Sequence, residues 1–570
     1  MTHQQKTFSF HNDLLAEKPA VNTISGLIIQ ALSNYVQNGH VCFSENDLID
    51  LLNAKYFYPV DLIKKNIEKL AKSNEIIIET FEKENKKERI IYLPAFYFSE
   101  KNFSIRLQAF LTIPTHIKPH KIDRLLPEIE LKMNIELSKE QQWILQQILR
   151  YKTAIITGCP GTGKTTLTRS ICLLLQELNQ NIALAAPTGR AAQRLGELTH
   201  FKAQTIHRLL GYNPDKNIFF RNELNPLDID AIIIDEISMV DIFLIYHLLK
   251  AIPMNAVLIL VGDRFQLPSV GPGNVLKDLI NSERIPVFSL STVFRHGENS
   301  NLAQNATLIN QGDKPKSTKM KLQLYQSSLN SKAELKLIHI KPLESSDPHF
   351  IFIKESQVEM ILKGILFLCR KWIPQNFGFH AIEDIQVITP MHKGSLGTRH
   401  LNYSLQKYLN KSSSSIIVHG NKFQIGDKVM HLKNNYEKEV YNGDIGRIQE
   451  INPLKKVCVV NYQEKMVSYT IEELKELSLS YAITVHKSQG AEYPAIIFPI
   501  VTQHYIMLQR NLLYTAITRG KKIVCVIGTD KAMDIALKNN QQEKRVTLLT
   551  ERLKGQVGKA FPNYSPIDCV

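Results

Sequence analysis

The chain has 570 residues, 44% of them hydrophobic, with 69 Lys+Arg against 54 Asp+Glu and a net charge of +15. That length exceeds a single core and calls for about three to five domains, the apolar fraction excludes a disordered chain, and the basic balance favours a polyanionic partner such as nucleic acid. Seven scattered cysteines without a C-x-x-C spacing argue against a disulfide framework or a zinc ribbon; with no signal-peptide core and no apolar run near the ~18 residues of a membrane span, the expected setting is cytoplasmic, with no membrane partner.

Residues 1–22 read as a loose lead-in. From Thr23, the residues Ile24, Leu27, Ile28, Leu32 and Tyr35 recur at helical spacing. Further amphipathic segments surround 47–52 and cover 60–70. A β-prone run at 76–80, a charged turn at 81–89 and a second run at 90–93 follow. Three helices and a hairpin predict a winged-helix-like module, which serves either to bind DNA or to pack. Its turn sets Lys83, Lys86, Lys87 and Arg89 against Glu82, Glu84 and Glu88, so its field is weak. Residues 96–130 bridge to the next unit. There Ser138 is placed as an N-cap and Gln141 as the third residue of a capping box. The alternative for Gln141 is an amide presented to a base edge, since one amide both donates and accepts.

Residues 157–166, Thr-Gly-Cys-Pro-Gly-Thr-Gly-Lys-Thr-Thr, fit the phosphate-loop pattern G-x-x-x-x-G-K-[ST]. An apolar β-prone run precedes them at 153–156 and a helical pattern follows at 167–178. Gly158, Cys159, Pro160, Gly161, Thr162, Gly163, Lys164, Thr165 and Thr166 are the expected ATP-binding residues, because backbone N–H groups and a helix N-terminus converge there on phosphate oxygens. Lys164 is expected to reach the β- and γ-phosphates, and the Thr165 hydroxyl to hold Mg2+.

Strand 181–186 ends at Pro187 and Thr188, and 211–221 reads as a small projecting hairpin. Strand 231–234 runs into Asp235 and Glu236, and strand 257–262 into Asp263. Strands alternating with helices predict a parallel sheet, whose ligands sit beyond the carboxyl ends of its strands. Asp235 is expected in the Mg2+ shell, and Glu236 as the group that orients and deprotonates the attacking water. Gln266 offers an amide to phosphate and water. Two guanidinium groups, Arg295 in Thr-Val-Phe-Arg-His and Arg519 in Tyr-Thr-Ala-Ile-Thr-Arg, are candidates for stabilising charge on the transferred phosphoryl group.

Residues 311–346, with Lys314, Lys316, Lys319 and Lys321, read as a solvated connector. A second α/β region starts at 350–353 and includes 385–389. Short β-prone runs and the Asn-Gly-Asp turn at 442–444 predict a small barrel within 423–469, inserted before the α/β pattern resumes at 480–485. A strand at 522–528 closes the fold.

In order along the chain, the phosphate loop, Pro-Thr-Gly-Arg-Ala-Ala at 187–192, Ile-Asp-Glu-Ile-Ser-Met at 234–239, Gly-Asp-Arg-Phe-Gln-Leu-Pro at 262–268, Val-Phe-Arg at 293–295, Thr-Val-His-Lys-Ser-Gln-Gly at 484–490 and Leu-Tyr-Thr-Ala-Ile-Thr-Arg at 513–519 resemble the motif set of superfamily 1 helicases. The set is similar to the RecD-like branch. The run 504–519, with Tyr436 and the 442–446 turn, resembles its stand-alone members more than the subunit of the RecBCD nuclease. Cys159 stands where a glycine is common in that family.

The resemblance implies an α/β protein with two RecA-like P-loop NTPase cores built on parallel sheets. It adds an N-terminal winged-helix-like helical domain and an inserted SH3-like β-barrel. The implied division is 1–125 for the winged-helix-like domain, 126–335 for the first core with a pin at 211–221, 336–398 and 479–570 for the second core, and 399–478 for the barrel. It implies ATP-driven 5′→3′ movement on single-stranded DNA in repair or recombination, with ATP and Mg2+ between the cores. Gln141 would read adenine, Arg295 and Arg519 would meet the phosphates, and Pro187, Thr188, His207, Thr484 and His486 would line the DNA track. The implied partners are single-stranded DNA, duplex junctions and RecB/RecC-like or other repair proteins. Two alternatives stay open: the motor subunit of a RecBCD-type exonuclease, and a DNA-binding protein with a relic phosphate loop.

Overall fold

The computed structural model describes residues 23–556, apart from 84–85, 118, 293–299, 326–336, 345–348, 419, 436, 453–455, 463–464 and 541–544. The N-terminal helix Ile24–Gln37 starts at Thr23, whose hydroxyl accepts from Gly26 N at 3.1 Å, as an N-cap should. Strand Cys42–Ser44 pairs antiparallel with Lys86–Tyr92, which pairs in turn with Ile77–Lys83. Helices Glu45–Tyr56 and Val60–Lys72 stand between, joined through Phe57 in the left-handed region at φ 58°. This is the strand and helix order of a winged helix, closed over Ile28, Leu48, Ile63, Ile67 and Ile91. Helix Pro94–Leu111 then lies on helix Ile242–Ala251. Arg106 fixes the pair by donating to Leu249 O at 2.8 Å and Lys250 O at 3.0 Å.

The first core is a six-stranded sheet, parallel throughout. Its spatial order is Val287–Leu290, Thr153–Gly158, Val257–Gly262, Ala231–Ile234, Ile182–Ala186, Ala203–Thr205. Ala231–Ile234 is buried along its whole length, which is why it reads as an unbroken apolar run and not an alternating one. The carboxyl ends of the strands bring Gly158, Pro187, Asp235 and Asp263 to one edge.

The second core is a seven-stranded sheet ordered Leu337–Glu344, Thr318–Tyr325, Phe350–Lys354, Gly520–Gly528, Tyr493–Ile500, Ile385–Thr389, Ala482–Thr484. Two expectations change here. The 311–346 connector is not a plain loop: Thr318–Tyr325 pairs parallel with Phe350–Lys354 and antiparallel with Leu337–Glu344, so the second core begins before residue 336. Met320 and Leu322 alternate with Lys319 and Lys321, the period of a strand with one wet face, and the lysine-rich composition masks it. The strand expected to close the fold, Gly520–Gly528, instead lies in the interior of the sheet, bonded on both sides.

Helix Thr398–Leu409, assigned from sequence to the barrel, packs on the second core. Leu401 and Leu405 are buried there, and Asn402 exchanges two 2.8 Å hydrogen bonds with the backbone of Ala482. The barrel sheet is antiparallel, in the order Lys465–Thr470, Val457–Tyr462, Ile445–Asn452, Lys428–His431, Leu477–Leu479. Cys458, Val460 and Tyr462 alternate inward. A barrel residue also touches the first core: Arg208 Nη1 donates to Tyr441 OH at 2.9 Å. A Cβ on Gly189 would lie 2.2 Å from Tyr441 Cβ, so only glycine admits this contact.

After the second core, residues 545–553 return across the first. Arg545 donates to Gly271 O at 2.9 Å, Gly273 O at 2.7 Å and Ser269 O at 2.7 Å, and Val41 N donates to Val546 O at 2.9 Å. Arg552, 3% exposed, meets Glu100 at 3.2 Å and Glu79 at 3.1 Å, beneath the ring of Tyr97. Burial pushes the Glu100 carboxyl up, and the guanidinium opposes that shift. Removing one partner of a buried pair leaves an uncompensated charge, at about 3–5 kcal/mol. Arg552→Ala is therefore expected to destabilise the chain by that amount in denaturant unfolding. A change under about 0.5 kcal/mol would mean the strap adds nothing to the fold.

Candidate active site

The phosphate loop leaves strand Thr153–Gly158 and turns into helix Lys164–Glu177 through Gly161 and Gly163, at φ 86° and 83°. A side chain at either position would strain the turn. The Thr162 hydroxyl donates to Cys159 O at 2.8 Å and pins the loop's inner side. Lys164 Nζ folds across it, donating to Gly158 O at 2.6 Å and Cys159 O at 3.0 Å. Cys159 faces Tyr514 and Asp263, and burial pushes its thiol up, so it is a packing residue and not a thiolate.

Asp235 and Glu236 follow the buried strand Ala231–Ile234. Asp235 Oδ1 accepts from Glu236 N at 2.8 Å, and Glu236 is held left-handed at φ 52°. A non-glycine residue there costs about 1–3 kcal/mol and marks an aimed side chain. Burial raises both carboxyls; Lys164 and Arg194 oppose it at both, and Arg519 also at Glu236. Gln266 is 6% exposed, and its Oε1 has no hydrogen-bond partner. An orphaned buried acceptor of this kind calls for a donor from a ligand or a water.

Arg519 comes from the second core, immediately after helix Arg510–Ile517. It is buried, and it donates to Thr515 O at 3.2 Å, Ala491 O at 3.3 Å and Thr518 Oγ1 at 3.3 Å. One cavity of about 500 Å3 is lined by Lys164, Thr165, Asp235, Glu236 and Gln266 together with Arg519. Pro160, Gly161, Gly163 and Thr166 line it as well, and Met133, Ile135, Leu195 and Leu198 form an apolar side. Gly158, Cys159 and Thr162 of the same loop are not among the lining residues. Gln141 closes the capping box with Ser138, its Oε1 accepting from Ser138 N at 3.1 Å and its amide nitrogen 3.4 Å from Gly163 O. The cap is therefore engaged, and Gln141 is not among the residues that line the cavity. Arg295 and Tyr436 lie outside the described residues.

Several cavity residues escaped the sequence reading, two of them charged partners across the cores. Arg194 and Glu492 form a 2.8 Å ion pair between the cores. The signal was present: Arg194 is one turn beyond Arg190 on the helix after Thr188, and Glu492 directly follows the 484–490 motif. Arg190 also crosses, to Tyr493 OH at 2.9 Å. The two cores further join at the Gln266 loop, where Leu267 N donates to Thr515 Oγ1 at 2.9 Å and Gln489 Nε2 donates to Leu267 O at 3.1 Å.

The five residues expected along DNA do not line this cavity. Pro187 and Thr188 follow strand Ile182–Ala186, and the Thr188 hydroxyl caps helix Gly189–Thr199. Thr484 ends strand Ala482–Thr484, and His486 opens the next turn. Gly490, four residues past His486, lies against the first group: a Cβ built on it would be 3.5 Å from Thr188 Oγ1. His207 stands apart with the pin, its ring 5.5 Å from that of Tyr212 and 5.9 Å from that of Phe219. Burial lowers the pKa values of His207 and His486, so both imidazoles tend to be neutral. The hairpin expected at 211–221 is the strand pair Tyr212–Asn213 and Ile218–Phe219; Ile218, Phe220 and nearby Leu224 are exposed.

Family models match three segments: an AAA domain at 141–272, an ATP-dependent RecD-like DNA helicase SH3 domain at 401–462 and a UvrD-like helicase C-terminal domain at 479–527. The chain is 32% identical over 464 residues to the ATP-dependent RecD2 DNA helicase of Deinococcus radiodurans, an alignment covering 81% of this chain and 58% of that protein. It thus spans less than two thirds of that relative's length. It is 28% identical over 447 residues to the RecBCD enzyme subunit RecD of Mycolicibacterium smegmatis, covering 73% and 75% of the two chains. A Pif1 helicase from Bacteroides in complex with ADP-AlF3 and ssDNA is 18% identical, covers 71% and 94%, and has a TM-score of 0.42, too loose a likeness to bear on function. From the relatives and the ordered family segments together, the chain is a homologue of the RecD-like helicases, related both to RecD2 and to the RecD subunits.

Proposed function

We propose that the protein is an ATP-driven motor on single-stranded DNA that unwinds duplexes in the 5′→3′ direction during repair or recombination. The observation that carries this reading is Arg519 of the second core entering the cavity formed by Lys164, Asp235, Glu236 and Gln266 of the first. A site split between two bodies couples hydrolysis to their relative movement.

The chain's own groups account for hydrolysis of the γ-phosphoryl bond. Backbone N–H groups of 161–165 and Lys164 hold the phosphates. Glu236 accepts the proton of the attacking water; burial strengthens it as a base. Gln266 orients that water, and Arg519 neutralises charge on the equatorial oxygens. The Thr165 hydroxyl and the Asp235 carboxylate suit Mg2+, a hard cation that takes oxygen ligands and would neutralise phosphate charge when bound. Leu267 is bonded to the second core through both its N–H and its carbonyl. Opening or closing the cleft therefore moves the Gln266 loop, which links phosphate state to the segment 484–490.

Pro187, Thr188, Thr484 and His486 are the residues we place along the strand, with the pin at the fork. The proposed partners are single-stranded DNA and duplex junctions. Action within a RecB/RecC-type complex is the second reading, favoured by the 75% coverage of the mycobacterial RecD subunit. The test is unwinding by the purified chain of duplexes bearing either a 5′ or a 3′ single-stranded tail. Unwinding only with the 5′ tail is expected. Unwinding only with the 3′ tail would reverse the polarity, and none with either tail would favour the subunit reading.

A further inference from the structure

Helix Val60–Lys72, the third of the winged-helix module, buries Ile63, Ile67 and Leu70 against helices Ile24–Gln37 and Glu45–Tyr56. Its other side is exposed and carries Lys64, Lys65, Lys69 and Lys72. Lys65, Lys69 and Lys72 follow one another at four and three residues, so they form one stripe along the helix. The side's acidic residues do not cancel it. Glu68 is taken by Arg89, and Asp61 sits in the first turn, where the helix dipole favours a carboxylate. The wing turn, whose field the sequence already makes weak, is weakened further because Arg89 is spent on Glu45 and Glu68.

Helix Ile242–Ala251 connects the module to the 211–221 hairpin. One face of helix Ile242–Ala251 backs the pin: Phe219 lies 4.8 Å from the His247 ring and 6.4 Å from that of Phe243. The same helix holds the winged-helix module through the Arg106 bonds to Leu249 and Lys250, and through Asn102 to Tyr246 OH at 3.5 Å. Helix Pro94–Leu111, which follows the module, and the hairpin thus pack on the same helix.

We propose that the Lys64–Lys65–Lys69–Lys72 face binds the phosphate backbone of duplex DNA. Four uncompensated like charges on a convex helix match a duplex, whose phosphates repeat along a groove wide enough to admit a helix. Duplex binding does not depend on the motor reading, so the two stand or fall separately.

The test replaces all four lysines by glutamine in the full chain, Lys64→Gln, Lys65→Gln, Lys69→Gln and Lys72→Gln, which leaves the buried side of the helix untouched. Binding to a blunt 20-base-pair duplex without nucleotide should weaken at least ~10-fold. Its salt slope should fall by about 3.6, since each of the four phosphates no longer neutralised removes ~0.9. Affinity for an oligo-dT strand and the ATPase it stimulates should stay within about twofold. A control with Lys363, Lys371, Lys407 and Lys531 changed to glutamine, all exposed on the second core, should keep duplex affinity. Unchanged duplex affinity and salt slope in the first variant would overturn the proposal and leave the face to another partner. Equal losses on duplex and single strand, or an equal loss in the control, would reduce it to general electrostatic attraction.

Discussion

Arg519→Ala is expected to bind ATP within a modest factor of the parent protein and to lose ~10³–10⁵ of its hydrolysis rate, with unwinding lost alongside. That loss corresponds to about 4–7 kcal/mol of transition-state stabilisation. The physical reason is location. Arg519 reaches the cavity from the second core, so its charge acts only when the cores close on the phosphates. DNA should also fail to stimulate what hydrolysis remains, because stimulation works through closure. Arg519→Lys should recover little, since a lysine cannot reproduce the forked bonds to Thr515 and Ala491 while facing phosphate. Nucleotide binding and steady-state ATPase, measured side by side, check this. Normal hydrolysis with a lowered unfolding temperature would make Arg519 a structural residue, and the search for a finger would move to Arg295.

Lys164→Ala is expected to cut turnover by ~10²–10³ or more while single-stranded DNA binding without nucleotide is retained. Lys164 bonds to the loop's own carbonyls of Gly158 and Cys159, and it faces the carboxylates of Asp235 and Glu236 across the cavity. Losing it removes charge from the phosphates without touching Thr188, Thr484 or His486. ATPase and oligonucleotide binding on the same preparation separate the two effects. Near-parental unwinding would take the phosphate loop out of the mechanism.

Much of this site was legible because phosphate chemistry imposes local patterns. Glycines at 161 and 163 are needed for backbone conformation, and the carboxylates of Asp235 and Glu236 follow a strand buried on both faces. Such constraints are written in consecutive residues. The Arg194–Glu492 pair is not, since its partners stand on different cores and each alone resembles a surface charge. Nor is the strap: Arg545 and Arg552 sit in an ordinary charged tail, and only the fold shows that they close on Ser269 to Gly273 and on Glu100. The strand Thr318–Tyr325 was missed for another reason. Its lysines dominate the composition, while the alternation of Met320 and Leu322 is short. Helix Thr398–Leu409 falls largely within the SH3 match at 401–462 and also packs on the second core, an attachment its own residues do not announce; the Asn402–Ala482 bonds show it.

The central claim is that one cavity, completed by Arg519 when the cores close, hydrolyses ATP in response to a bound strand. The most direct measurement is the ATPase rate of the intact purified chain with and without a single-stranded oligonucleotide, with Lys164→Ala as background. Turnover well above that background and at least ~10-fold stimulation by the oligonucleotide are expected, in line with a cleft that works through closure. A rate indistinguishable from the Lys164→Ala background, with or without DNA, would contradict it and leave the phosphate loop a relic.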